Sequence, residues 1–217
     1  MASASIVLLG DSIFDNAAYT GDEPDVAAHL RSLVDDDAQV TLVAKDGTTT
    51  LDFTRQLDDV PKHATHLVLS LGGNDALLNA DLLGMPADSV AESLDLFADR
   101  REDFERNYNR CLDALLDWDL PTTVCTIYGG DLDDDDARRA DTALMIYNDV
   151  ILRGAFRRGF DVVDLRFVCT HHADYANPVE PSGAGGLKIA RAIGESLAML
   201  AAKRTRVTTG RPIPKPA

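Results

Sequence analysis

Three polar clusters in this 217-residue chain hold the residue types of nucleophilic catalysis. The first is Gly10-Asp11-Ser12, directly after the apolar run Ile6-Val7-Leu8-Leu9. Such a run reads as a buried strand, and ligands bind at the carboxyl ends of strands in an open α/β sheet. Backbone N–H groups at a strand-ending turn stabilise negative charge, so Ser12 is well placed as a nucleophile. The second cluster is Gly72-Gly73-Asn74-Asp75, after the run His66 to Leu71. The Asn74 amide has two hydrogens to donate, and such a donor aimed at a developing oxyanion is worth about 3 kcal/mol. The third lies between residues 171 and 180, with His171, His172, Asp174, Asn177 and Glu180. Imidazoles and carboxylates are the groups that accept a proton from a nucleophile. The first two clusters also have a purely conformational reading, in which Asp11, Ser12 and Asn74 close turns.

The elements around these clusters alternate. Apolar runs at residues 39–44, 66–71, 122–127 and 160–165 follow the first as strands. Helical spacing begins near Val26, caught by Thr20 or Asp22 as cap and Pro24 in the first turn. A short helix is expected near Leu51 to Leu57, and a loop or short helix from Ala76 to Pro86. The longest helix starts at Asp88 or Ser89, with an apolar stripe from Val90 through Leu94 and Phe97 to Leu116. Gly129 to Ala137 reads as an acidic loop, Ala140 to Phe156 as a helix, and Ala184 to Ala202 as a last amphipathic helix. Five strands alternating with helices give a doubly wound α/β fold around a parallel sheet. One domain spans residues 1–204, and the basic, Pro-rich segment 205–217 is expected to be a disordered tail.

With Gly10-Asp11-Ser12 and Gly72-Gly73-Asn74-Asp75 in this order, and Asp46-Gly47 between them after a strand, the chain resembles the SGNH (GDSL-type) hydrolases over roughly residues 5 to 200. The resemblance implies a flavodoxin-like three-layer α/β/α sandwich with strand order 2-1-3-4-5. It implies a serine esterase or acylhydrolase that forms an acyl-enzyme on Ser12 and needs no cofactor. The oxyanion hole would be the Ser12 N–H, Gly47 and Asn74. The family carries Asp and His three residues apart before its last helix, and by that alignment Asn177 and Glu180 stand at these positions.

Three readings of the proton acceptor follow. Glu180 itself is the base, with burial raising a carboxylate of ordinary pKa near 4.3 toward neutrality. Alternatively His172 or His171, which follow the fifth strand, supplies the imidazole with Asp174 orienting it. In the third reading the site has lost its chemistry and binds a small acyl or carbohydrate ligand. Glu180 is favoured over His172 because Pro178 and Pro181 fix φ on either side of it. His63 and His66 precede the third strand, at the end away from Ser12.

Composition limits the remaining choices. The net charge is −15, and only six of the 36 acidic residues are Glu. A surface so acidic repels nucleic acid and anionic membranes, so neither is expected as a partner; the expected partner is a small-molecule ester. Cys111, Cys125 and Cys169 are odd in number and widely spaced, so neither a metal site nor a disulfide framework is expected. No leader or run of about 20 apolar residues occurs, which points to a cytoplasmic location. Oligomeric state is not encoded in any of these features.

Overall fold

In the computed structural model, residues 3–197 are described. The apolar runs form β1 (Ser5–Gly10), β2 (Gln39–Leu42), β3 (His66–Ser70), β4 (Thr122–Cys125) and β5 (Asp161–Val163). They make one parallel sheet of order β2-β1-β3-β4-β5. The sheet is buried on both faces, which is why β1 and β3 are continuously apolar rather than alternating. Side chains in β1 still divide between faces, Val7 and Leu9 to one and Ile6 and Leu8 to the other.

α3 (Val90–Leu116) and α4 (Asp134–Arg158) cover the first face with Tyr108, Leu112, Tyr147 and Ile151. α1 (Val26–Leu33) and α5 (Gly183–Ser196) cover the second with Leu30, Ile189 and Ile193. α2 (Gly73–Leu78) is short and follows β3 directly. The residues expected to begin a helix at Leu51 form a 3-10 helix, Phe53–Asp59, and a second 3-10 helix spans Ala80–Gly84.

Three helices differ from their sequence reading. α1 is capped by Asp25, whose side chain accepts from the Ala28 N–H at 2.6 Å, rather than by Thr20 or Asp22, and Pro24 lies before the helix instead of in its first turn. α3 is capped by Ser89, whose side chain accepts from the Glu92 N–H. Its stripe is buried only from Phe104 onward; Phe97 is half-buried, and Val90 and Leu94 are exposed. α4 begins six residues before the expected Ala140. Asp134, Asp135 and Asp136 lie in its first turn, where negative charge interacts favourably with the helix dipole. They are helix rather than loop. α5 is described to Ser196; the expected continuation to Ala202 and the segment 205–217 lie outside the described residues.

Candidate active site

The site begins where β1 stops. Gly10 has φ of 119°, and a Cβ there would stand 1.7 Å from the Ser70 carbonyl oxygen. Only glycine lets the two backbones pass this closely. The turn is held from below by buried Gln56. Its Oε1 accepts from the Gly10 N–H at 2.8 Å, and its Nε2 donates to the Gly10 carbonyl at 2.7 Å and to Thr48 Oγ1 at 3.1 Å. The Asp11 N–H donates to Ser70 O at 3.0 Å. Ser12 follows, buried at the sheet rim.

The Ser12 hydroxyl donates to Glu180 Oε1 at 2.9 Å, joining groups 168 residues apart. Glu180 is 8% exposed. Its Oε2 has no hydrogen-bond partner among the described residues. Burial raises the carboxyl pKa above its usual value; the Ser12 hydrogen bond works against this and the Asp46 charge adds to it. A raised carboxylate pKa is what a general base working toward neutral pH requires.

The other candidates in this segment sit differently. Asn177 Oδ1 accepts from the N–H groups of Val179 at 3.0 Å and Glu180 at 2.9 Å. Asn177 therefore shapes the turn that presents Glu180, as an Asx-turn does. His172 points outward, with its side chain 90% exposed and its Nδ1 paired with Asp131. His171 is exposed as well. Asp174, expected to orient an imidazole, instead accepts from Lys188 and from the Thr170 and His171 N–H groups. The structure thus brings Glu180, and neither histidine, to Ser12.

Gly47 adopts φ of 79° in the turn after β2. That turn is tied to the start of α2 by both residues of the Asn74-Asp75 pair. Asn74 Nδ2 donates to Thr48 O at 3.0 Å, and Asp75 accepts from the Thr50 N–H at 3.1 Å and hydroxyl at 2.5 Å. Asn74 keeps one amide hydrogen to offer. Among the described residues the N–H groups of Ser12 and Gly47 have no acceptor. Gln56 was not foreseen from the sequence; a single glutamine within a short helical segment carries no signal.

A cavity of about 410 Å³ opens beside Ser12, Asn74 and Glu180. Leu77, Leu83, Phe97, Leu132, Leu144 and Tyr147 form much of its wall, and no Lys, Arg or His lines it. The Asp11 carboxyl, at the same wall, is pushed up to about 7 by burial, with the Glu180 and Asp75 charges adding and the Ile13 N–H and Ser70 hydroxyl opposing. Between the ordinary 3.8 and about 7, the folded state binds a proton that the unfolded chain has released. Stability therefore falls as pH rises through that window, by roughly 4 kcal/mol in all. Asp11→Asn keeps the shape and removes the ionisation. Its melting temperature is expected to exceed the wild type's at pH 8 and to match it at pH 3.5; thermal unfolding at the two pH values checks this.

No group of three or more His, Cys, Asp or Glu among the described residues is arranged to hold a metal ion. The three cysteines are buried, and burial pushes the Cys111 and Cys169 thiols up to about 12.

The fold is a five-stranded parallel α/β sheet with a serine just after β1 and polar residues from the β2 and β3 loops gathered at the carboxyl ends of the strands, where ligands bind in such sheets. Residues 8–186 match the GDSL-like lipase/acylhydrolase family, and the chain belongs to that family. Solved structures share the fold at low identity. An extracellular lipase from Streptomyces rimosus is 17% identical with a TM-score of 0.67, over 89% of this chain and 100% of that one. A phospholipase A1 from Streptomyces albidoflavus NA297 is 16% identical with a TM-score of 0.69, over 90% and 100%. An acetylxylan esterase from Geobacillus stearothermophilus is 17% identical with a TM-score of 0.65, over 93% and 99%. No curated protein sequence matches the chain.

Proposed function

We propose that this chain is a serine ester hydrolase in which Glu180 stands where its family carries the histidine. The observation that carries the reading is the hydrogen bond from the Ser12 hydroxyl to Glu180 Oε1 at 2.9 Å. Ser12 Oγ attacks the ester carbonyl as Oε1 takes its proton. The N–H groups of Ser12 and Gly47 and the Asn74 amide stabilise the resulting oxyanion. Protonated Glu180 then returns the proton to the leaving alcohol. Water repeats the sequence on the acyl-enzyme, with Glu180 again the base.

The cavity supports an uncharged, apolar acyl group as the part of the substrate next to Ser12. Leucine and aromatic side chains form much of its wall, and it holds acidic groups but no cation to pair an anionic substrate. Among the structural relatives, this favours the chemistry named for the lipases over that named for the acetylxylan esterase. An alkyl fluorophosphonate should bond covalently and stoichiometrically to the protein, with the adduct mapping by peptide mass to Ser12. An adduct on another residue would overturn the assignment. No adduct together with no turnover of p-nitrophenyl esters would favour a ligand-binding module instead.

A further inference from the structure

Residues 178–181, which carry Glu180, have every backbone polar group paired. The Pro178 carbonyl accepts from the Asp131 N–H at 2.8 Å, and the Val179 carbonyl from the Tyr128 hydroxyl at 2.7 Å. The Glu180 carbonyl accepts from the Ala176 N–H at 2.9 Å, and the Pro181 carbonyl from Asn16 Nδ2 at 3.1 Å. The N–H groups of Val179 and Glu180 both end on Asn177 Oδ1. Prolines at the other two positions have no N–H to satisfy.

This matters because of what Glu180 lacks. In a serine–histidine–aspartate triad the carboxylate fixes the imidazole through its second nitrogen. Here the second carboxylate oxygen, Oε2, has no partner among the described residues. The side chain is therefore aimed by its backbone and by packing, and the loop's anchors do the work of a third catalytic group.

Of these anchors, Tyr128 is the side chain that reaches from the end of β4 to the residue immediately before Glu180. Its ring meets Tyr175 edge-on at 5.2 Å between centroids, which fixes the hydroxyl's position. Burial holds the phenol well above its usual pKa, so it stays protonated and donates. Gly130, two residues on, has φ of 81°, and a Cβ there would lie 2.5 Å from the Pro178 carbonyl oxygen. The β4 loop thus closes on the Glu180 loop over residues 128–131.

We infer that Tyr128 is a positioning residue for the reaction: its hydroxyl holds the Val179 carbonyl and so aims the Glu180 carboxylate at Ser12. The inference rests on the reading of Glu180 as base. Misplacing a reacting group by about 1 Å can cost on the order of 10² in rate. Tyr128→Phe removes the donor and keeps the ring packing on Tyr175.

The test is a double-mutant cycle on p-nitrophenyl butyrate, with kcat and KM measured for wild type, Tyr128→Phe, Glu180→Gln and the pair. Tyr128→Phe alone should lower kcat by roughly 10- to 100-fold with KM within about twofold. In the Glu180→Gln background it should change kcat by less than about twofold, because the base it aims is already gone. An unchanged kcat in the single variant, or an equal loss in both backgrounds, would overturn the positioning role while leaving the base intact. An active Glu180→Gln would instead remove the base, and the positioning role with it. Circular dichroism of Tyr128→Phe should match the wild type; if that variant does not fold, Asn16→Ser, which loosens the Pro181 anchor, is subject to the same two-background comparison.

Discussion

Glu180→Gln is expected to lower kcat on a soluble ester by about 10² to 10⁴, the usual cost of losing a general base. Gln has the same shape and can still accept the Ser12 hydrogen bond, so the fold and the cavity are retained. What is lost is basicity alone. The variant should melt no lower than the wild type, because it removes a buried carboxyl whose ionised form burial disfavours. A base works only unprotonated, so the wild-type rate should rise with pH through the Glu180 ionisation, which burial holds above the usual carboxylate range. Steady-state kinetics across pH, with a melt of each protein, checks both parts. His172→Ala, by contrast, alters an exposed side chain paired with Asp131 and should leave the rate unchanged.

Gly10→Ala is expected to abolish folding. The added methyl would be driven into the backbone of β3, 1.7 Å from Ser70 O and 2.6 Å from its carbonyl carbon. Neither atom is the end of a flexible side chain. The register Gly10↔Ser70 closes the β1–β3 pair, and Asp11 bonds across it, so relief would have to come from separating the two central strands. The left-handed φ adds strain of about 1 to 2 kcal/mol. A loss beyond about 5 kcal/mol exceeds what a single substitution normally costs and is a large part of a domain's total stability. Gly159→Ala is the control: φ there is 71°, but nothing lies within 4 Å of the added carbon. It should cost only about 1 kcal/mol. Circular dichroism and thermal melts of the two variants separate steric collision from φ strain.

The contrast between these glycines shows what was legible in the sequence. Gly10 and Gly72 each end an apolar run and precede polar side chains, so strand, turn and rim could be read together. Glu180 was legible through Pro178 and Pro181, which limit what the loop can do. The residues that hold these groups in place were not legible. Gln56, Asn16 and Tyr128 act on backbone groups far along the chain. A hydrogen bond to a distant carbonyl leaves no local pattern. His172 lies near the rim in sequence, but its side chain turns to solvent and Asp174 is spent on Lys188 and backbone N–H groups. Helical period likewise showed that Val90 and Leu94 share a stripe with Phe104, without showing that the start of the stripe stays exposed.

The transfer of the Ser12 proton to Glu180 is tested most directly by the rate at which an alkyl fluorophosphonate labels Ser12. That rate reports attack by the hydroxyl without turnover or product release. It should be measured from pH 4 to pH 9 in wild type and in Glu180→Gln. In the wild type it should rise with pH through the Glu180 ionisation, which burial places above the usual carboxylate range, and then level off. In Glu180→Gln it should be slower by about 10² or more at pH 8 and should lose that rise. Equal labelling rates with the same pH dependence in both proteins would contradict the assignment of Glu180 as the base.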